Sequence, residues 1–148
     1  MTRPVAYYYK GTSDTAAEIL GIGNPAVFWG SLIAVPYVTL VTVRRRDWAA
    51  ACIAVAVLSQ YLPWLRVGRP EFLFYAAPIV PFMVLAETYA LRDLSRVRLS
   101  TGARPFAPVA GLLVAISVGL FLFFYPVLVG RTISLPAWHL RIWFNSWV

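Results

Sequence analysis

Four stretches of this chain carry almost no charge, and each is long enough to cross a bilayer. Asn24–Val43 is uncharged over 20 residues, Trp48–Leu65 over 18 and Pro105–Gly130 over 26, while Phe72–Leu91 carries a single charge, Glu87. A helix rising about 1.5 Å per residue crosses the hydrocarbon core with about 20 apolar residues. Backbone groups in lipid must be satisfied internally, so each stretch is expected to be a helix. The alternation of apolar and polar residues that marks a membrane barrel is not found. The expected fold is therefore all-α, integral to the membrane. It has four transmembrane helices at about 24–43, 48–65, 72–91 and 105–130, with short interfacial helices at both termini and a tail at 131–148.

Composition leaves little for a soluble domain. Hydrophobic residues make up 60% of the 148 and charged residues 13%, about half the charged share of a soluble protein. The net charge of +7 raises nucleic acid as a partner, but the arginines stand in short loops between apolar blocks. There they serve as topology signals and contacts for anionic membrane lipids, so nucleic acid is not an expected partner. Val5–Tyr9 is too short for the apolar core of a signal peptide. The one cysteine, Cys52, excludes an intrachain disulfide and reads as a small packing residue.

Thr15 and Glu18 fit a capping box opening a short helix, which Gly21 and Gly23 would end. The loop at 44–47 is tight and makes a hairpin of the first two spans. Four spans place both termini on one side. The Arg44-Arg45-Arg46 cluster abutting the first span favours the cytoplasm for that loop, which puts both termini outside a multi-pass protein of the cell membrane.

Few residues are candidates for chemistry. Pro78 and Pro81 each remove a backbone donor, so the third block is expected to kink or break near Tyr75, opening a groove or simply bending. Arg66 and Arg69 on the outer side suit a lipid phosphate, or else anchor the interface or pair with Glu71. Glu87 is the ionisable residue inside a span, within a turn of Leu91. Snorkelling or pairing with Arg92 accounts for it. The tail holds Trp138, His139, Arg141, Trp143 and Trp147, with Pro136 suited to a helix's first turn. Trp143 and Trp147 are four apart, as on a helix lying at the interface. It forms either one wall of an outward-facing site or an aromatic belt. His139 stands alone, so no metal site is expected. No Ser/His/Asp set, phosphate-binding glycine loop or catalytic carboxylate pair is present, and no cofactor is evident.

Several segments carry a resemblance that covers nearly the whole chain. They are Gly23-Asn24-Pro25-Ala26-Val27-Phe28-Trp29, Leu62-Pro63-Trp64, Phe72-Leu73-Phe74-Tyr75 with Pro78 and Pro81-Phe82, and Phe124-Tyr125-Pro126 through Gly130. The run from Trp138 to Trp147 completes them. Together they resemble the C-terminal four-span region of bacterial, actinobacterial-type protein O-mannosyltransferases. The resemblance implies a glycosyltransferase that takes mannose from a polyprenyl-phosphate-mannose lipid and passes it to Ser or Thr of exported acceptor proteins. The family's acceptor-activating acids lie in a first external loop that has no counterpart here. The resemblance thus implies a truncated region, inactive alone, whose partner is the missing N-terminal part of the enzyme. Arg66, Arg69 and Tyr75 become candidates for the donor phosphate, and Trp138, His139 and Arg141 for the acceptor wall. The competing readings are a non-catalytic four-helix scaffold or subunit, and a small multidrug exporter working through Glu87.

Overall fold

Before its first membrane-length helix the chain forms a hairpin, not the short helix that Thr15 and Glu18 suggested. The computed structural model describes residues 5–64, 66, 76–99, 102 and 104–144. Strand β1 (Val5–Gly11) pairs antiparallel with β2 (Thr15–Gly21), and β2 pairs with β3 (Ile133–Ser134) from the other end of the chain. The Thr15 hydroxyl lies 2.8 Å from that of Thr12, and the Thr12 backbone N–H donates to the Thr15 carbonyl at 2.8 Å. Thr15 therefore closes a turn instead of capping a helix. Beyond it Ala16, Ala17, Glu18 and Leu20 are buried and Ile19 is exposed, so β2 is covered on more than one face. The all-α expectation is corrected accordingly: a three-stranded sheet, order β1-β2-β3, sits with the helices.

Helix α1 (Pro25–Arg45) starts where the Asn24 side chain accepts the Ala26 N–H, and Pro25 occupies the first turn, where its missing N–H costs nothing. It ends at Arg46, whose left-handed backbone (φ 52) sends its N–H to the Thr42 carbonyl. Asp47 then accepts the Ala50 N–H at 3.0 Å and opens α2 (Trp48–Trp64). Helix α3 (Val80–Ser95) begins well inside the third apolar block. Residues 77–79 form a turn, and Pro81 lies in the helix's first turn. The expected break at the prolines is present, while Tyr75 lies outside the described residues. Helix α4 (Val109–Leu128) follows, then β3 and the short α5 (Leu135–His139) with Pro136 in its first turn.

By length and composition α1 and α4 can each cross a membrane; α2 is apolar but shorter, at 17 residues. Helices α1, α2 and α3 pack through small side chains, with Ala34, Val38, Ala50, Ala54 and Ala86 in one buried cluster. Small residues let helices approach closely where no water drives them together. Along α4 only Phe124 and Val127 are buried. They join Ala16, Leu20 and Trp138 in a second cluster that fastens the sheet and α5 to the end of α4. Gly130, at φ 69, makes the turn from α4 toward β3, and an added Cβ there would lie 2.9 Å from Ile19.

Three further expectations change. The helix of the tail ends at His139, so Trp143 is not on it, and Trp147 lies outside the described residues. Trp143 instead packs against Phe124, with ring centroids 4.9 Å apart. Cys52 is exposed rather than packed inside. Glu87 neither snorkels nor pairs with Arg92: it is 6% exposed, and its Oε1 has no partner among the described residues. Arg92 is five positions on, and helix neighbours share a face at three or four.

Candidate functional site

Three polar or open regions lie along this scaffold. The first is under the sheet. Glu18 is 1% exposed, lies between Ala16 and Leu20 on β2, and accepts a 2.5 Å hydrogen bond from Nε1 of Trp138. Its second oxygen, Oε1, has no partner among the described residues. Burial pushes the carboxyl above its ordinary value, and the indole bond pulls the other way. Tyr9, opposite Glu18 across the hairpin, packs its ring 5.8 Å from that of Trp138. The Leu135 N–H donates to the Asp14 carbonyl, extending the seam between the two ends of the chain.

The tail candidates gather here with different roles. Trp138 is buried and faces Glu18, whereas His139 is exposed, its ring 4.9 Å from the indole. Arg141 is half-buried. Its Nε donates to the Phe123 carbonyl at 2.7 Å, its Nη1 to the Ala137 carbonyl at 2.6 Å, and its guanidinium lies 4.8 Å from the centre of the Phe123 ring. Such a side chain holds the tail on α4. Nearby, Asn24 donates to the Ser117 carbonyl at 2.8 Å and ties the start of α1 to α4. A cavity of about 360 Å³ opens between Tyr7, Asn24, Phe28 and the proline turn at Ala77 and Val80. Of the donor-side candidates, Arg66 is exposed just beyond α2, while Arg69 and Tyr75 lie outside the described residues.

At the opposite ends of α1 and α3 is a polar cluster. Asp93 accepts from Tyr37 at 2.8 Å and from Arg45 at 2.6 Å, and Asp47 accepts from Tyr89 at 2.9 Å. The Ala50 N–H and then the Tyr89 hydroxyl hold the Asp47 carboxyl below its ordinary value. These bonds lock the α1–α2 turn to the end of α3.

Between these ends, two clefts flank the line where α3 meets α4. One, of about 730 Å³, lies toward α1 and is bordered by Gly30, Ile33, Tyr37, Ala90 and Leu113. The other, of about 640 Å³, lies on the opposite side along Val84, Thr88, Leu91, Val114 and Val118. Glu87 borders both.

Sequence reasoning missed Glu18 as a buried group, because its spacing from Thr15 matched a cap. No local signal marks its burial, since Ala17 and Ile19 are as apolar as the Ala16 and Leu20 that flank them. Chemically, the arrangement provides apolar clefts and a stapled aromatic head. No group of three His, Cys, Asp or Glu able to hold a metal occurs among the described residues.

Residues 1–147 match the family model described as the C-terminal four TMM region of protein-O-mannosyltransferase. The chain is 34% identical to the polyprenol-phosphate-mannose–protein mannosyltransferase of Mycobacterium tuberculosis over 141 residues, 91% of this chain and 26% of that protein. It is 31% identical to the protein of the same name from Mycolicibacterium smegmatis over 158 residues, 98% of this chain and 30% of that protein. For the Corynebacterium glutamicum protein of that name the identity is 26% over 156 residues. The chain thus spans about three tenths of the length of these relatives. No solved structure matches it.

Proposed function

The chain belongs to the protein O-mannosyltransferase family, in its C-terminal four-span region, and from that premise we propose that it is the lipid-embedded, non-catalytic portion of a polyprenyl-phosphate-mannose–protein mannosyltransferase. In this reading four spans cross the cell membrane with both termini outside. The cleft between α3 and α4 cradles the isoprenoid tail of the donor. Arg66, Arg69 and Tyr75 are the candidates for binding the donor phosphate. His139, backed by Trp138 and the Arg141 staple, borders the path of the exported acceptor whose Ser or Thr receives the mannose.

The observation that carries the reading is the cleft of about 640 Å³. Its lining on α3 runs from Val84 to Ser95 and on α4 from Ala110 to Val118, several helical turns of mostly apolar wall. That shape suits a chain of isoprene units better than a soluble metabolite. The pairing of β2 with β3 supports an even number of crossings, since it holds both ends of the chain together. Acid–base chemistry is assigned elsewhere in the enzyme, because the buried Glu18 and Glu87 are closed to an acceptor hydroxyl.

The test is reconstitution of the chain in proteoliposomes with polyprenyl-phosphate-mannose and a Ser/Thr-rich peptide. The expected result is no mannosyl transfer, together with labelling of α3 and α4 by a photoactivatable polyprenyl phosphate. Transfer by the chain alone would place the chemistry here, and an absence of labelling on those helices would remove the cradle.

A further inference from the structure

Glu87 is 6% exposed, and its buried Oε1 has no hydrogen-bond partner among the described residues. That atom faces Gly30 of α1, where an added Cβ would come within 2.6 Å of it. Gly30 borders the cleft of about 730 Å³ and not the one assigned to the donor tail. The orphaned oxygen is therefore on the α1 side. In lipid an ionisable group is costly unless it is paired, and such groups face protein or water-filled space.

We propose that the cleft between α1, α3 and α4 is the seat of a further membrane helix, from outside this region of the enzyme, carrying an Arg or Lys that pairs with Glu87. Charge complementarity selects the side chain. Of the arginines bordering this cleft, Arg45 pairs with Asp93, and Arg96 is nine positions beyond Glu87, about 13 Å along the helix axis. The carboxyl at its own depth therefore calls for a cation. The walls admit a helix, because Gly30, Ala34 and Ala90 border the cleft and small residues permit close approach. A second copy of this chain does not supply the cation, since none of its four apolar blocks contains Lys or Arg. A donor tail does not satisfy the carboxyl either, having no hydrogen-bond donor. The relatives, of which this region is 26–30%, have ample further length from which such a helix comes. The inference rests on the membrane reading above but not on mannosyl transfer, which the reconstitution assay tests separately.

The probe is a synthetic membrane-spanning peptide with one Arg at mid-depth and one Cys a turn away. It is compared with a peptide in which Leu replaces the Arg. The full chain, with Cys52→Ser and Ile33→Cys, is reconstituted with each. A transmembrane polar pair favours the Arg peptide by about tenfold, so its disulfide yield at Ile33→Cys is expected to exceed that of the Leu peptide to that degree. Glu87→Gln is expected to bring the two yields together. Equal yields with Glu87 intact overturn the proposal, and that comparison needs no change at Glu87. A preference that survives Glu87→Gln overturns it, and so does higher yield at Val114→Cys in the opposite cleft. Polyprenyl phosphate that blocks Ile33→Cys while Arg confers no advantage would give the cleft to lipid instead.

Discussion

Trp138→Phe tests whether one hydrogen bond fastens the sheet to the rest of the molecule. Phenylalanine keeps much of the buried ring but removes the N–H that Glu18 accepts at 2.5 Å. Because Oε1 already has no partner among the described residues, both carboxyl oxygens would then be orphaned under the sheet. A hydrogen bond to a charged group is worth about 1.5–3 kcal/mol. Since about 1.4 kcal/mol is a factor of ten, the amides that pair β1 with β2 should exchange roughly ten to a hundred times faster. Glu18→Leu alone leaves the indole N–H orphaned, at a cost of about 1–3 kcal/mol, partly offset because no carboxyl is buried. The double variant removes both partners and should recover most of the wild-type protection. Hydrogen exchange of the hairpin amides in detergent, read for all four proteins, gives the coupling directly. A coupling below about 0.5 kcal/mol, the ordinary error of additivity, would refute the assignment of Glu18–Trp138 as the fastening.

The same carboxyl sets a pH dependence. Its folded value is raised above 4.5 by burial, so its contribution to stability is full below that value and is lost as pH rises through the folded value. Hairpin protection, corrected for intrinsic exchange, should therefore be greater near pH 4.5 than near pH 7, and Glu18→Gln should flatten the difference. Gly30→Ala pushes a methyl against Glu87 Oε1 at 2.6 Å. That oxygen is the far end of a flexible side chain bordering two open clefts, so it swings aside. Alanine's better helix propensity offsets the remainder, and detergent unfolding should shift by less than about 1 kcal/mol. Gly130→Ala forces a side chain into a left-handed backbone beside Ile19, and should lower stability by about 1–2 kcal/mol, read as faster exchange at Ala16. At the other end, Asp93→Ala removes the acceptor of both Tyr37 and Arg45. It should lower the unfolding midpoint more than Arg45→Ala, because the Arg45 side chain is largely exposed and such pairs contribute little.

The apolar blocks made the helices legible, because hydropathy and length act locally. Asn24 before Pro25, and Asp47 before Trp48, are likewise readable as helix starts from neighbouring residues alone. Pro78 and Pro81 announced the break that leaves α3 beginning at Val80, since a missing N–H acts within one turn. The sheet was not legible in the same way. Residues 15–18 satisfy a capping box by spacing, and what overrides it is a third strand and an indole from the far end of the chain. Glu87 was misjudged for a related reason. Its position near the end of the block suggested an escape to water, but Gly30 on another helix leaves the room that keeps it inside. Arg141 was named from the sequence as a candidate for the acceptor wall, but its two backbone acceptors depend on how the tail folds back over α4. Local chemistry was readable; closure across the chain was not.

That closure bears on how the molecule is made. Glu18 and Trp138 are 120 residues apart, so a ribosome has delivered every helix of this region before the carboxyl can meet its donor. Through that interval the hairpin has only its own turn and ladder to hold it, and a two-stranded hairpin alone is marginal in water. β3 and α5 can seat only when the last helix has brought the tail to the side where the hairpin waits. On the proposed four-span topology, a chain inserted with one crossing too few would leave its first strands unmatched and its tail on the wrong face. On that topology the sheet and its indole bond form only after the last crossing is in place.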